Sequence, residues 1–199
     1  MVSPASASPA PSRVRRASKI KRARTTAPTT LARAQMRSHV TKILQNTLAI
    51  DIRYQNVRPI AGLKAFLTKN LLAAASVAGV TDGQIDITLV NDALMSQLHL
   101  EHKNDATTTD VLTFDLRADR RSKSVVEVDL ILCVDEARRQ SELRGHWIER
   151  ELLLYAVHGL LHLVGYDDTT PTKAARMHRR EDEILQAIGI GPAFAVDPL

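Results

Sequence analysis

The sequence predicts an α/β fold, a small mixed β-sheet of about four strands covered by about five helices. Segments in which apolar residues alternate with polar ones are interleaved with segments of helical period, so strands and helices share one layered unit. Two β-branched runs lie either side of a short polar connection of hairpin length, which puts an antiparallel pair into the sheet. There are no internal repeats or heptads, and 199 residues with 44% hydrophobic content suffice for one core plus a tail.

The elements follow in order. "TLAIDIRY" sets Ile50 and Ile52 between polar neighbours and reads as a first strand. "AGLKAFLTKNLLAAASVAGV" carries Leu63, Phe66, Leu67, Leu71 and Ala74 at helical spacing and is closed by Gly79. "QIDITLV" alternates strictly, and Asn91 then caps a helix bearing Leu94, Met95 and Leu98. "TDVLTFDL" and "VVEVDLILCV" are strands joined by the basic stretch "RADRRSKS". "DEARRQSEL" is a short helix. "HWIERELLLYAVHGLLHLVG" is a long one, apolar on most faces after Glu151 and therefore buried. "TKAARMHRREDEILQAIG" is a last amphipathic helix stopped by Gly189.

Charge divides the chain. Through Ile50 there are ten Lys/Arg and no Asp or Glu, and the remaining 17 basic residues face all 22 acidic ones, a balance of −5. The basic opening, rich in Ser, Ala, Pro and Arg, has too little apolar surface to offset its ordering entropy. It reads as a disordered tail over residues 1–45, with the folded domain at 46–199. Its composition fits a solvated tail with loose affinity for RNA phosphates, a transit peptide, or a chain whose start is really Met36. No apolar h-region accompanies it, which argues against a secretory signal. The single Cys133 excludes an intramolecular disulfide, suits a reducing cytoplasm, and sits in an apolar run as a small buried thiol. No stretch reaches the ~18 apolar residues of a membrane span. Phosphate loops of the GxGxxG or GxxxxGK[ST] kind are absent.

The stretch "HGLLHLVGYDD" carries the chemistry. His158 and His162 stand four apart on one helix face, so both rings reach one point, and two neutral imidazoles so placed are half of a zinc site. Two partnerless buried rings would cost on the order of 1–3 kcal/mol each, a penalty that coordination or hydrogen bonds remove. Gly165 ends the helix and turns the chain back, which brings Asp167 or Asp168 within reach as a third ligand. Two histidines and a carboxylate leave positions open for water and substrate, a catalytic rather than a structural layout.

This stretch closely resembles the signature H-G-x-L-H-L-x-G-Y-D-H of the YbeY-type endoribonucleases, the rRNA maturation factors. "LHLEHKNDATTTDVLTFDL" is similar to that family's L-N-x-x-y-R-x-k-d-x-P-T-D-V-L-S-F, and "VEVDLILCVDEA" to its G-D-i-v-I-c strand. The resemblance implies a metal-dependent endoribonuclease specific for single strands. It would act in small-subunit rRNA 3′ end processing and ribosome quality control, in the cytoplasm, with rRNA and the small ribosomal subunit as partners and neither membrane nor DNA. It implies one Zn²⁺ per chain, held by His158, His162 and Asp168. The family's third ligand is His, and Asp168 stands in its place with an oxygen that zinc accepts at about 2.0–2.2 Å, in a site that harder ions such as Mn²⁺ enter more readily. Asp167 matches the family's own Asp and reads as a turn residue beside the ligands. Lys103 stands where the family has a phosphate-directed Arg, keeping the charge but losing the bidentate fork. Thr108, Val128 and Thr113 replace the family's Pro, Gly and Ser. The implied reaction is attack on phosphorus by metal-activated water while Lys103 stabilises the developing charge. Asp110 either orients water or a ligand, or anchors the strand edge.

Other readings meet specific obstacles. The spacing of His158, His162, Gly165 and Asp168 also fits the metzincin peptidases, but these need Glu as general base where this chain has Gly159. A two-histidine, one-carboxylate iron oxygenase takes its ligands from barrel strands, not one helix. A non-catalytic ribosome-assembly factor with a structural metal is the third alternative. RNA affinity in a domain of net −5 needs a local patch. Arg117, Arg120, Arg121 and Lys123 form one candidate group, and Arg138, Arg139 and Arg144 another, with a solvated loop or helix face as the plain reading of each. Tyr166 and His102 are the nearest rings for base stacking. His146, His178, Trp147 and Tyr155 read as packing or surface residues.

Overall fold

The computed structural model describes residues 47–194, so the basic tail and its three readings lie outside the described residues. Nine elements follow in order: β1 Thr47–Tyr54, α1 Leu63–Ala78, β2 Asp82–Val90, α2 Asp92–Lys103, β3 Val111–Asp115, β4 Val125–Cys133, α3 Val134–Arg144, α4 Ile148–Leu163 and α5 Pro171–Ala187. The expected four strands and five helices are all present, with boundaries shifted by a residue or two. The last helix begins at Pro171 because Thr170 caps it, its hydroxyl accepting from Lys173 N at 3.3 Å.

The sheet runs β1-β2-β4-β3. β1–β2 and β2–β4 are parallel, with Ile50 opposite Ile85 and Ile85 opposite Val128, while β3 and β4 form the antiparallel pair. Period-two alternation sorts the two faces. Val126, Val128, Leu130 and Leu132 of β4 join Ile85, Ile87 and Leu89 of β2 in the main core with α1, α4 and α5. Ile131 and Cys133 point the other way, into a smaller cluster with Val90, Leu112 and Met95 of α2. Burial pushes the Cys133 thiol up to about 11, so it packs as an unreactive sulfhydryl. Among the described residues no helix is long and apolar enough to cross a membrane.

Helices α2 and α3 are tied together at Asp92. Arg139 grips its carboxylate with two bonds of 2.6 and 2.8 Å, and Cys133 and Thr108 donate to the same group. Chiefly through Arg139, the Asp92 carboxyl is held down to about 2 from an ordinary 3.8. A lowered acid contributes stability above the unfolded value and loses it as pH falls through the folded one. The unfolding midpoint should therefore drop between about pH 4 and 2, and Asp92→Asn should flatten that drop. The half-exposed pair limits the effect to under about 1 kcal/mol, read by chemical denaturation across that window.

Helix α4 is the central element, with Leu152 to Val157, Leu160 and Leu161 all buried. Each fully buried Leu contributes roughly 1.5–3 kcal/mol. Its backbone lies close on the sheet at Gly159, where a Cβ would stand 2.7 Å from Leu130 Cδ2 and 2.8 Å from Thr113 Oγ1. Gly159→Ala should cost about 1–3 kcal/mol by overpacking, seen as a thermal midpoint several degrees lower. The same contact leaves no room at this position for a longer side chain such as the Glu of the peptidase pattern.

Candidate metal centre

The last two turns of α4 bring His158 and His162 side by side, their Nε2 atoms 3.1 Å apart. The helix then ends as expected. Gly165, at φ +99°, takes the left-handed conformation, and the amides of Gly165 and Tyr166 return to the carbonyls of His162 and Leu161. The reversed chain carries Asp168 back, with Oδ2 3.6 Å from His158 Nε2 and Oδ1 4.0 Å from His162 Nε2. One donor atom from each of the three residues lies within 4.8 Å of the others. Asp167 points elsewhere. Lys173 at 2.7 Å, with the Thr169 amide and hydroxyl, holds its carboxylate in the turn and well below the usual carboxylate range. Of the two aspartates, Asp168 is the one brought beside the histidine pair.

Both imidazoles are oriented from behind. His158 Nδ1 lies 2.7 Å from Glu181 Oε1, and His162 Nδ1 lies 3.2 Å from the Tyr166 carbonyl. Each of those oxygens accepts, so each Nδ1 can donate to it, which leaves Nε2 of each ring as the atom directed at the shared point. Two imidazole Nε2 atoms and a carboxylate at that point make a donor set that a divalent cation fits. Burial presses the His158 imidazole down, but Glu181, Asp110 and Asp168 together hold it above its ordinary value, so the surroundings favour positive charge. Glu181 is the residue that the motif does not reveal. It is fully buried, 23 residues away on α5.

The cluster opens into a cleft of about 530 Å³, which Lys103 at the end of α2, Asp110 and His99 also line. Asp110 both faces this cleft and anchors the strand edge. Its Oδ1 accepts from Val111 N at 2.8 Å and Thr109 Oγ1 at 3.0 Å. Of the hairpin cations, Arg117 is consumed within the fold. Its side chain, 7% exposed, grips Asp115 and donates to the carbonyls of Ser122 and Leu163. Arg120 and Arg121 are exposed beside Asp115 and Asp119, whereas Lys123 stands next to the Gly165 turn. In the other group Arg139 and Arg144 are paired with Asp92 and Glu151, and Arg138 lines a separate hollow. Trp147 is an exposed surface residue, as expected, and His146 packs against Glu151. Tyr155 packs in the main core and His178 stacks on Phe194, and both also line a second cavity that shares His158 and Asp168 with the first. Tyr166 lies beneath Arg176 and His102 meets Phe114 edge-on.

The family model described as Endoribonuclease YbeY matches residues 50–189. Curated proteins named endoribonuclease YbeY are similar along most of their length. That of Brevibacillus brevis is 32% identical over 72% of this chain and 98% of its own. The Bacillus licheniformis protein is 34% identical over 72% and 97%. The Moorella thermoacetica protein is 37% identical over 64% and 88%. Among solved structures, a solution structure from Thermotoga maritima is similar at a TM-score of 0.48 and 22% identity, over 74% of this chain and 98% of that one. With a family model spanning most of the domain and relatives matched almost end to end, this chain belongs to the YbeY endoribonuclease family.

Proposed function

We propose that this chain is a metal-dependent endoribonuclease that cuts single-stranded RNA, with rRNA in the small ribosomal subunit as substrate and partner, in the cytoplasm. We assign it to small-subunit rRNA 3′ end maturation and ribosome quality control, the roles that the resemblance of its motifs implies. The observation that carries the reading is the convergence of His158, His162 and Asp168 on one point of an open cleft. We assign them one Zn²⁺, with Mn²⁺ as the alternative ion.

When bound, such an ion supplies a Lewis acid that lowers the pKa of water and polarises a phosphoryl oxygen. The chain's own groups do the rest. Glu181 and the Tyr166 carbonyl accept from the two Nδ1 atoms and so aim the two Nε2 atoms at the centre. Lys103 brings a positive charge to the cleft wall, where it stabilises charge developing on phosphate oxygens. Being a flexible point charge it does so less strongly than an arginine fork. Asp110, with Oδ1 taken by Thr109 and Val111, is placed to orient water.

The test is metal content of the purified full-length protein. We expect one zinc per chain in the wild type and loss of stoichiometric metal in Asp168→Ala. A variant that retains the ion at full occupancy removes Asp168 from the ligand set. A metal-replete wild type that cleaves no single-stranded RNA would favour the assembly-factor alternative.

A further inference from the structure

The second cavity, of about 540 Å³, is unused by the chemistry above. Its size falls within the roughly 300–1,000 Å³ of ligand pockets. Asp110, His158 and Asp168 line both hollows, so the cluster stands where they meet. A strand lying over the centre thus has room for a nucleotide on each side of the bond to be cut.

Two features of this cavity point to a planar, donor-bearing ligand. The first is a π-faced wall. The His178 and Phe194 rings stack at 4.1 Å with an angle of 11°, and the Arg144 guanidinium lies 5.5 Å from the Phe194 centroid. Phe194 is no loose end. Asp182 Oδ1 accepts from its amide at 2.9 Å, and Arg150 donates to the Pro192 carbonyl. The second is an unused acceptor. Glu181 gives Oε1 to His158, while its buried Oε2 has no hydrogen-bond partner among the described residues. A buried acceptor normally finds a donor, so this oxygen calls for one. Glu136 and Glu151 also line the cavity, the latter paired with Arg144, and their carboxylate oxygens suit N–H groups.

Resting on the endoribonuclease reading, we propose that this cavity receives the base of the nucleotide next to the scissile phosphate and favours bases with an exocyclic amine over uracil. The base lies against the His178–Phe194 wall, and its amine donates to Glu181 Oε2. Single-stranded RNA suits this recognition because its bases are free to leave the stack and lie on aromatic side chains. Since Glu181 also holds His158, filling the cavity and orienting the ligand histidine share one carboxylate.

The experiment pairs a binding arm with a cleavage arm on zinc-loaded full-length protein. Adenosine and uridine 5′-monophosphates are titrated calorimetrically, and single-stranded RNAs differing only in the base flanking the cut are compared by kcat/KM. AMP should bind roughly ten-fold tighter than UMP, and RNAs with an amine-bearing base at that position should be preferred by a similar factor. Phe194→Ala and His178→Ala should each pull both ratios towards one while metal stoichiometry, the check on folding, stays at one per chain. Equal AMP and UMP affinities in the wild type, or ratios that survive in both variants, overturn the proposal. RNA cleavage without base preference overturns the subsite and leaves the nuclease standing. Variant-sensitive AMP binding without any RNA cleavage supports the subsite and sinks the nuclease.

Discussion

Replacing His162 with alanine is expected to abolish stoichiometric metal binding and lower kcat/KM on single-stranded RNA by at least about a thousand-fold. Lewis-acid activation supplies several kcal/mol of transition-state stabilisation, and each 1.36 kcal/mol is ten-fold in rate. The remaining donors, His158 and Asp168, 3.6 Å apart, leave too few ligands to retain the ion. Lys103 cannot compensate, because a charge on the cleft wall stabilises phosphate oxygens but activates no water. His162 makes a cleaner test than His158. Removing His158 would leave the buried Glu181 carboxylate without its hydrogen bond, and stranding a buried charge costs about 3–5 kcal/mol. Removing His162 frees the Tyr166 carbonyl and His158 Nε2 beside a side chain 33% exposed, where water can satisfy both. A variant within ten-fold of wild-type activity would show that the histidine pair does not carry the reaction.

The centre was legible in sequence because its parts are local. Four-residue spacing on a helix fixes the relative directions of His158 and His162, and the glycine at φ +99° fixes the return of Asp168. The strands were legible because alternation sorts two faces of a half-covered sheet. What could not be read were partnerships set by packing between distant segments. Arg117 looks like its neighbours in "RADRRSKS", yet it is buried on Asp115 and the Leu163 carbonyl at the end of α4, while Arg120 reaches Asp115 from the surface. The second cavity draws on α3, α4, α5 and the segment after α5, and no spacing rule joins them. Glu181 did leave a signal. Met177, Glu181, Ile184 and Leu185 form one buried stripe of α5, and a carboxylate on such a stripe requires a partner inside the fold.

That partner makes Glu181→Gln the second large effect. The substitution keeps the shape and an acceptor for His158 Nδ1–H but removes the charge that makes Nε2 a better donor. Affinity for zinc should fall 10- to 100-fold, the usual consequence of disabling a carboxylate behind a ligand histidine. Stability of the metal-free protein should move the other way or not at all in alkaline buffer, where His158 is neutral. There the wild type holds a buried carboxylate with one unpartnered oxygen, and neutralising it relieves desolvation. The two readouts separate two roles. A carboxylate that only braces α5 against α4 would leave the zinc dissociation constant within two-fold and lower the thermal midpoint when replaced. A carboxylate that tunes the ligand would do the reverse, and competitive zinc titration beside thermal unfolding of the metal-free chain distinguishes them.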